Sequence, residues 1–197
     1  MSDVDNKTRM GKIGKTIIDS CTSILAGPRC QEYIAANIKD LWKNTPISRY
    51  KWMDNNCKGK LGEMMISEMF KQNNHAVKPR ESHGHDLIVD DIKTEVKFSV
   101  AQTNPKTLTI KPNVFMMNHV SESKDWQRLV FFGYNPEGHS HVLFWFTKKD
   151  FKKILAKTNL FSVQQGGQEG NNDDYVIGAK KLMELYNSEY VKRIEQW

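Results

Sequence analysis

Cysteine is scarce in this chain of 197 residues: Cys21, Cys30 and Cys57 are the whole supply. An odd number at wide spacing argues against a disulfide framework, and Cys21 and Cys30 lack the tight pairing of a structural zinc knuckle. Free thiols fit a reducing compartment, so a cytoplasmic location is expected. Long apolar runs are also missing. No window holds the roughly 18 apolar residues of a membrane span. Leu129–Phe132 and Val142–Phe146, the most apolar stretches, are strand-sized. The polar start, Met1 to Lys15, has no apolar core followed by a cleavage site and does not read as a signal peptide. No repeat and no interior linker is evident, which points to a single domain over 1–197 with a helical N-terminal part over 1–57.

What is abundant is positive charge. The formal net charge is +6, from 29 basic and 23 acidic residues. Residues 1–60 carry 11 Lys and Arg against 6 Asp and Glu, so nearly all of the excess lies there. Clustered positive charge suits a polyanionic partner such as nucleic acid. The hydrophobic share of 39% supplies a core, and its interspersion with charge argues against wholesale disorder.

Periodicity divides the chain into a helical first part and a sheet. Ile13 to Leu25 is predicted helical, stopped by Gly27-Pro28. A second helix is predicted from Arg29 to Trp42, with Tyr33, Ile34, Ile38 and Leu41 or Trp42 on one side, and a third from Lys60 to Phe70. Ile47–Cys57 is ambiguous. Ala76 to Pro79 reads as a short strand. Asp86 to Val89, an Asp90-Asp91 turn and Ile92 to Phe98 read as a β-hairpin. Residues 101–112 look like a loop or irregular strand, and Val114 to His119 is helical or extended. Arg128–Tyr134 and His141–Thr147 are strong strands, followed by a short helix from Asp150 to Ala156. Phe161–Gln164 and Tyr175–Ile177 are weak strands around a polar loop. Ala179 to Trp197, with Leu182, Leu185, Tyr186, Tyr190, Ile194 and Trp197 as an apolar stripe, is predicted to be one long closing helix. The fold class expected is α/β, a central mixed β-sheet flanked by helices.

The chemistry is concentrated in residues 86–97. Glu95 and Lys97 are two apart on a strand, so they point to one face, while Val96 and Phe98 point to the other and can pack in the core. In a hairpin turning at Asp90-Asp91, Asp86 lies across from the region of Glu95. Two carboxylates and an ammonium can then converge. Unpaired like charges at such spacing repel, and a hard divalent cation resolves the repulsion. Mg²⁺ takes one or two protein carboxylates and fills its sphere with water and substrate phosphates. There it would polarise a scissile phosphate and activate water. Lys97 is better suited to positioning the water than to acting as base, because neighbouring carboxylates favour its charged form.

Asp86 followed by Glu95-Val96-Lys97 on the next strand resembles the signature of the PD-(D/E)xK nuclease superfamily, with His85 where the family usually has proline. The resemblance covers about residues 58–147, and by size and layout it is nearest to type II restriction endonucleases. It implies a restriction-endonuclease-like core and a sequence-specific double-stranded DNA endonuclease. It also implies Mg²⁺-dependent hydrolysis leaving 5′-phosphate ends, and a homodimer cutting a palindrome. A glutamate on the upstream helix commonly joins the metal in this family. Glu63 occupies the expected place, with Glu68 as competitor on a different helix face. The expected catalytic set is Glu63, Asp86, Glu95 and Lys97, with the three acids as metal ligands. After Lys97 the chain has Gln102 followed closely by Asn104-Pro105, unlike the glutamine-bearing helix of exonuclease-type members. A structure-selective phage or repair nuclease is the alternative within nucleases. A DNA-binding module without catalysis is the alternative from another class.

Further residues are candidates for DNA contact. Lys93 shares the strand of Glu95 and Lys97. Lys148 and Lys152 belong to a lysine-rich helix edge with Lys149, Lys153 and Lys157. Such lysines contact phosphate without reading sequence, or are simply solvated. Asn104 and Lys106 follow the catalytic strand. Gln165 and Gln168 lie in the polar loop, where amide side chains can read adenine edges. His83 and His85 are expected to touch phosphate or solvent, and His139 and His141 to be structural.

Overall fold

The structure is a computed structural model that describes residues 12–36, 45–50, 53–102, 111, 114–136, 141–164 and 173–197, with side chains from residue 17 onward. It begins with helices α1 (Lys12–Ala26) and α2 (Pro28–Ala36). In α1, Ile17, Cys21 and Leu25 recur every four residues and are all buried, the spacing that keeps one helical face inward. Gly27 breaks the helix, its N–H donating to the Ile24 carbonyl, while its own carbonyl accepts from Gln31 of the next helix. Pro28 then opens α2 where no N–H is required. The predicted extension of that helix through 37–42 falls outside the described residues.

Helix α3 (Asn55–Gln72) starts five residues earlier than its apolar pattern suggests. The reason is local: the Asp54 carboxylate accepts from the Asn56 N–H at 2.8 Å and caps the first turn. The helix buries Leu61, Met65, Ile66, Met69 and Phe70. Gly62 lets it press on the sheet, since a Cβ there would stand only 2.4 Å from Cβ of Phe98.

Five strands form the central sheet in the order β1 (Val77–Pro79), β2 (Leu87–Val89), β3 (Ile92–Val100), β5 (Arg128–Tyr134), β6 (Val142–Thr147). All neighbours are antiparallel except β3 and β5, which are parallel. The predicted hairpin is present, with Val89 opposite Ile92. Asp90 and Asp91 both take positive φ, at 51° and 62°, the twist a two-residue turn needs. The Asp90 carboxylate also accepts from the Ala76 N–H at 2.9 Å, tying the turn to the approach of β1.

A second sheet of three strands lies apart, in the order β4 (Met116–Ser121), β8 (Asp174–Gly178), β7 (Ser162–Val163). The segment read as helical or extended at Val114–His119 is therefore strand β4, and the connection from β3 to β5 runs through this sheet. Helices α4 (Lys148–Lys157) and α5 (Ala179–Tyr186) complete the fold. Two cores result. Helices α1 to α3 cover one face, with Val96, Val100, Val130 and Phe132 turned toward them. On the other face Leu129, Phe131, Phe144 and Phe146 pack with Phe115, Phe151 and Leu182. The architecture is an α/β fold with a central mixed sheet flanked by helices.

The long closing helix is not found. Helix α5 ends at Tyr186, where the Asn187 N–H and amide and the Ser188 hydroxyl all donate to carbonyls of its last turn. Lys192 then pairs with Trp145 through both backbone bonds, at 2.9 and 2.8 Å, and covers the edge of β6. The apolar stripe is real but serves two cores. Leu182, Leu185 and Tyr186 join one and Ile194 and Trp197 the other. These lie on opposite faces of the sheet, which a single straight helix cannot reach. Among the described residues, no helix is long and apolar enough to cross a membrane.

Candidate active site

Strand β2 begins only at Leu87, whose partner is Thr94. Beyond that pair β3 continues, and its next free donor on that side is the Val96 N–H. Asp86 supplies the missing acceptor: its backbone N–H donates to the Thr94 carbonyl at 3.0 Å, and its Oδ2 accepts from the Val96 N–H at 2.8 Å. The carboxylate thus sits in the fork where the two strands part.

Glu95, next along β3, is only 2% exposed. Its Oε1 takes the Lys97 ammonium at 2.8 Å and the Lys124 ammonium at 3.5 Å. Lys97 points to the same face as Glu95, while Val96 and Phe98 pack against the helices on the other. Asp86 completes the group. Its pKa is pushed up to about 6, chiefly by burial and next by the charge of Glu95; the Val96 N–H and Lys97 oppose the rise, and Glu63 adds to it. Of the two helix glutamates, Glu63 is the one whose charge reaches Asp86, whereas that of Glu68 reaches the Cys30 thiol. Glu63 is itself bound to Lys60 at 2.7 Å. Asp86, Glu95 and Lys97 meet at the strand fork, and the charge of Glu63 on helix α3 is felt at Asp86.

Among the described residues, no three His, Cys, Asp or Glu side chains close into a metal-holding group. The donor chemistry nevertheless suits a hard dication. Asp86 and Glu95 offer carboxylate oxygens, Mg²⁺ asks for only one or two of them, and the raised pKa of Asp86, owed first to burial and next to the Glu95 charge, marks a carboxylate whose charged form a divalent cation would favour.

Lys124 carries no signal of its own in the sequence, being one lysine in a polar stretch. It reaches Glu95 because β3 and β5 run parallel with Thr94 opposite Arg128. A loop that leads into β5 must then end beside the start of β3. That loop is firmly held. The Lys124 carbonyl accepts from the Lys148 ammonium, Lys93 is paired with Asp125, and Ser121 and Ser123 both donate to the Asp173 carboxylate.

The same bonds define two residues expected at a DNA surface. Lys93 is engaged with Asp125, and Lys148 also lies over the Trp126 ring at 5.5 Å. Lys152 stands 3.4 Å from Glu122 and is largely exposed. Asn104, Lys106, Gln165 and Gln168 lie outside the described residues. His83 is exposed as expected, but His85 is buried at 1%, with Nε2 lacking a hydrogen-bond partner. His141 is structural: it stacks on Tyr134 with centroids 5.0 Å apart, and its Nδ1 accepts from the Asn135 N–H. His139 falls outside the described residues. The sequence matches no protein-family model and no curated protein, so the functional reading stands on this geometry and on the strand motif.

Proposed function

We propose that this chain is a Mg²⁺-dependent nuclease of the PD-(D/E)xK kind, and within that class a sequence-specific double-stranded DNA endonuclease of restriction type. The observation that carries the reading is the strand fork. Asp86 caps the Val96 N–H beside a buried Glu95 that holds Lys97, and burial, with the nearby charge of Glu95 second, lifts Asp86 to about 6. An isolated charged hairpin face would have no reason to bury one carboxylate and half-bury a second beside it.

Asp86 and Glu95 would hold the ion, with Glu63 completing its shell directly or through water. When bound, Mg²⁺ supplies charge neutralisation at the scissile phosphate. Lys97 orients the water for in-line attack on phosphorus and offsets the negative charge that grows on the phosphoryl oxygens. Lys124, already on Glu95, keeps that carboxylate aligned and adds a second positive charge. Cleavage of the bond to the 3′-oxygen leaves a 5′-phosphate. On this reading the active form is a homodimer, since a palindromic site demands two-fold symmetry.

One observation favours a second reading. Glu95 is closed off by two ammoniums, and no three-acid group is formed among the described residues. A DNA-binding module without catalysis would have this arrangement permanently. Digestion of a sequenced plasmid with Mg²⁺ separates the readings. The nuclease gives discrete fragments with 5′-phosphate ends that vanish on chelation. A structure-selective nuclease gives smears or branch-dependent cuts. Binding with no cutting in Mg²⁺ or Mn²⁺ would leave only the module.

A further inference from the structure

A cavity of about 590 Å³ lies between the α1–α2 turn, helix α3 and strands β1 and β2. Glu63 lines it, so it adjoins the strand fork, but Asp86, Glu95 and Lys97 do not. Its walls are of two kinds. Ile24, Met64, Val77 and Leu87 present apolar surface, and Arg29, Lys60, Lys71, Lys78 and Arg80 present positive charge. Among the described residues the only opposing charges on the wall are Glu63 and Glu68, and each is neutralised by a lysine one turn away on its own helix, Lys60 at 2.7 Å and Lys71 at 2.9 Å. Lys78 is paired with Asp91 at 2.8 Å. Arg29 and Arg80 have no ion pair among the described residues, and both are exposed at the cavity rim.

Two unpaired guanidiniums beside apolar walls fit one ligand chemistry. A guanidinium presents planar paired donors that match phosphate oxygens, while the apolar surface suits the faces of a base and sugar. The volume is far more than one phosphate group needs and lies in the range of small-molecule sites. We propose that this cavity binds the phosphate of a nucleotide through Arg29 and Arg80, with the base and sugar against Ile24, Met64, Val77 and Leu87. That the ligand is phosphorylated follows from the charges; that it is a nucleotide rests on the nuclease reading and on Glu63 being common to both sites. The nucleotide is either a unit of a DNA strand passing the fork or a free mononucleotide.

The test reads binding without cutting, on the full chain carrying Asp86→Asn and in the presence of a chelator. A fluorescent single-stranded oligodeoxynucleotide is titrated by anisotropy, and unlabelled TMP, thymidine and inorganic phosphate are tried as competitors. Arg29→Gln and Arg80→Gln, at exposed positions, are each expected to weaken binding about tenfold. Lys180→Gln, an equal charge change on exposed surface elsewhere, is expected to leave it within about twofold. Competition by TMP, but not by thymidine, identifies a free-nucleotide site; binding of the oligonucleotide alone identifies a strand site. The proposal is overturned if both arginine variants bind as their parent does, if Lys180→Gln weakens binding equally, or if thymidine competes as well as TMP. A chain that never cuts DNA yet binds through Arg29 and Arg80 loses the nuclease reading and keeps the cavity. One that cuts, with arginine variants that bind and cut like the parent, loses the cavity alone.

Discussion

Asp86 shows how one residue can serve a hydrogen-bond ladder and a chemical site together. Its acceptor role could be filled by asparagine, which would still take the Val96 N–H; its charge could not. Folding raises its pKa from 3.8 to about 6. The folded chain therefore holds a proton that the unfolded chain has already released, and stability from this group falls as pH rises from about 4 to about 6. Asp86→Asn removes that loss. It should raise stability by roughly 2–3 kcal/mol above pH 6 and change it little near pH 4, as urea denaturation at the two pH values would reveal. A uniform effect at both would show that burial and the Glu95 charge do not raise the Asp86 carboxyl. Lys97 belongs to the same scale. Lys97→Ala should keep DNA affinity and lose cleavage by roughly two to four orders of magnitude in single-turnover assays with Mg²⁺. Lys124→Ala, which removes the longer of the two contacts to Glu95, should lose less. Near-normal cleavage by Lys97→Ala would take that residue out of the mechanism.

At the scale of the element, the fork depends on how closely helix α3 lies on strand β3. Gly62 sets that distance. A methyl group there would collide with Phe98, whose ring also packs on Tyr50 and Phe132 at 5.7 Å each. The helix must retreat or the ring must leave its place. Gly62→Ala is expected to cost about 1–3 kcal/mol, despite the better helix propensity of alanine, and thermal unfolding would measure it. Because Glu63 is the next residue, the same shift should move its charge relative to Asp86. The hairpin is the opposite case. Its Asp90-Asp91 turn, short strands and alternating faces are all local properties, and each was readable directly from residues 86–98.

For the whole molecule, the C-terminal segment joins the two cores. After α5, the chain crosses the edge of β6 at Lys192 and returns to the first core. There Trp197 meets Phe70 at 4.6 Å and Trp145 at 5.4 Å, with Arg128 over both indoles. Removing residues 189–197 would strip these contacts and leave Trp145 with an open strand edge, the kind of surface that recruits other chains. The truncated protein should unfold at lower urea concentration and aggregate on concentration, as light scattering would detect. If it kept the assembly state and the stability of the full chain, the segment would have no such role.

The residues alone determined the hairpin strands, the two-residue turn and the shared face of Glu95 and Lys97, because a period of two and a pair of left-handed aspartates are properties of neighbours in the chain. They also determined the first helix and its stop at Gly27-Pro28. Only the tertiary structure decided that the charge of Glu63 is felt at Asp86, that Lys124 reaches Glu95, and that the apolar stripe after residue 179 is shared between two cores. Those outcomes depend on a parallel pairing of β3 with β5 and on an uncovered edge of β6. Both are relations between segments far apart in sequence, where local periodicity carries no information about which surface lies opposite.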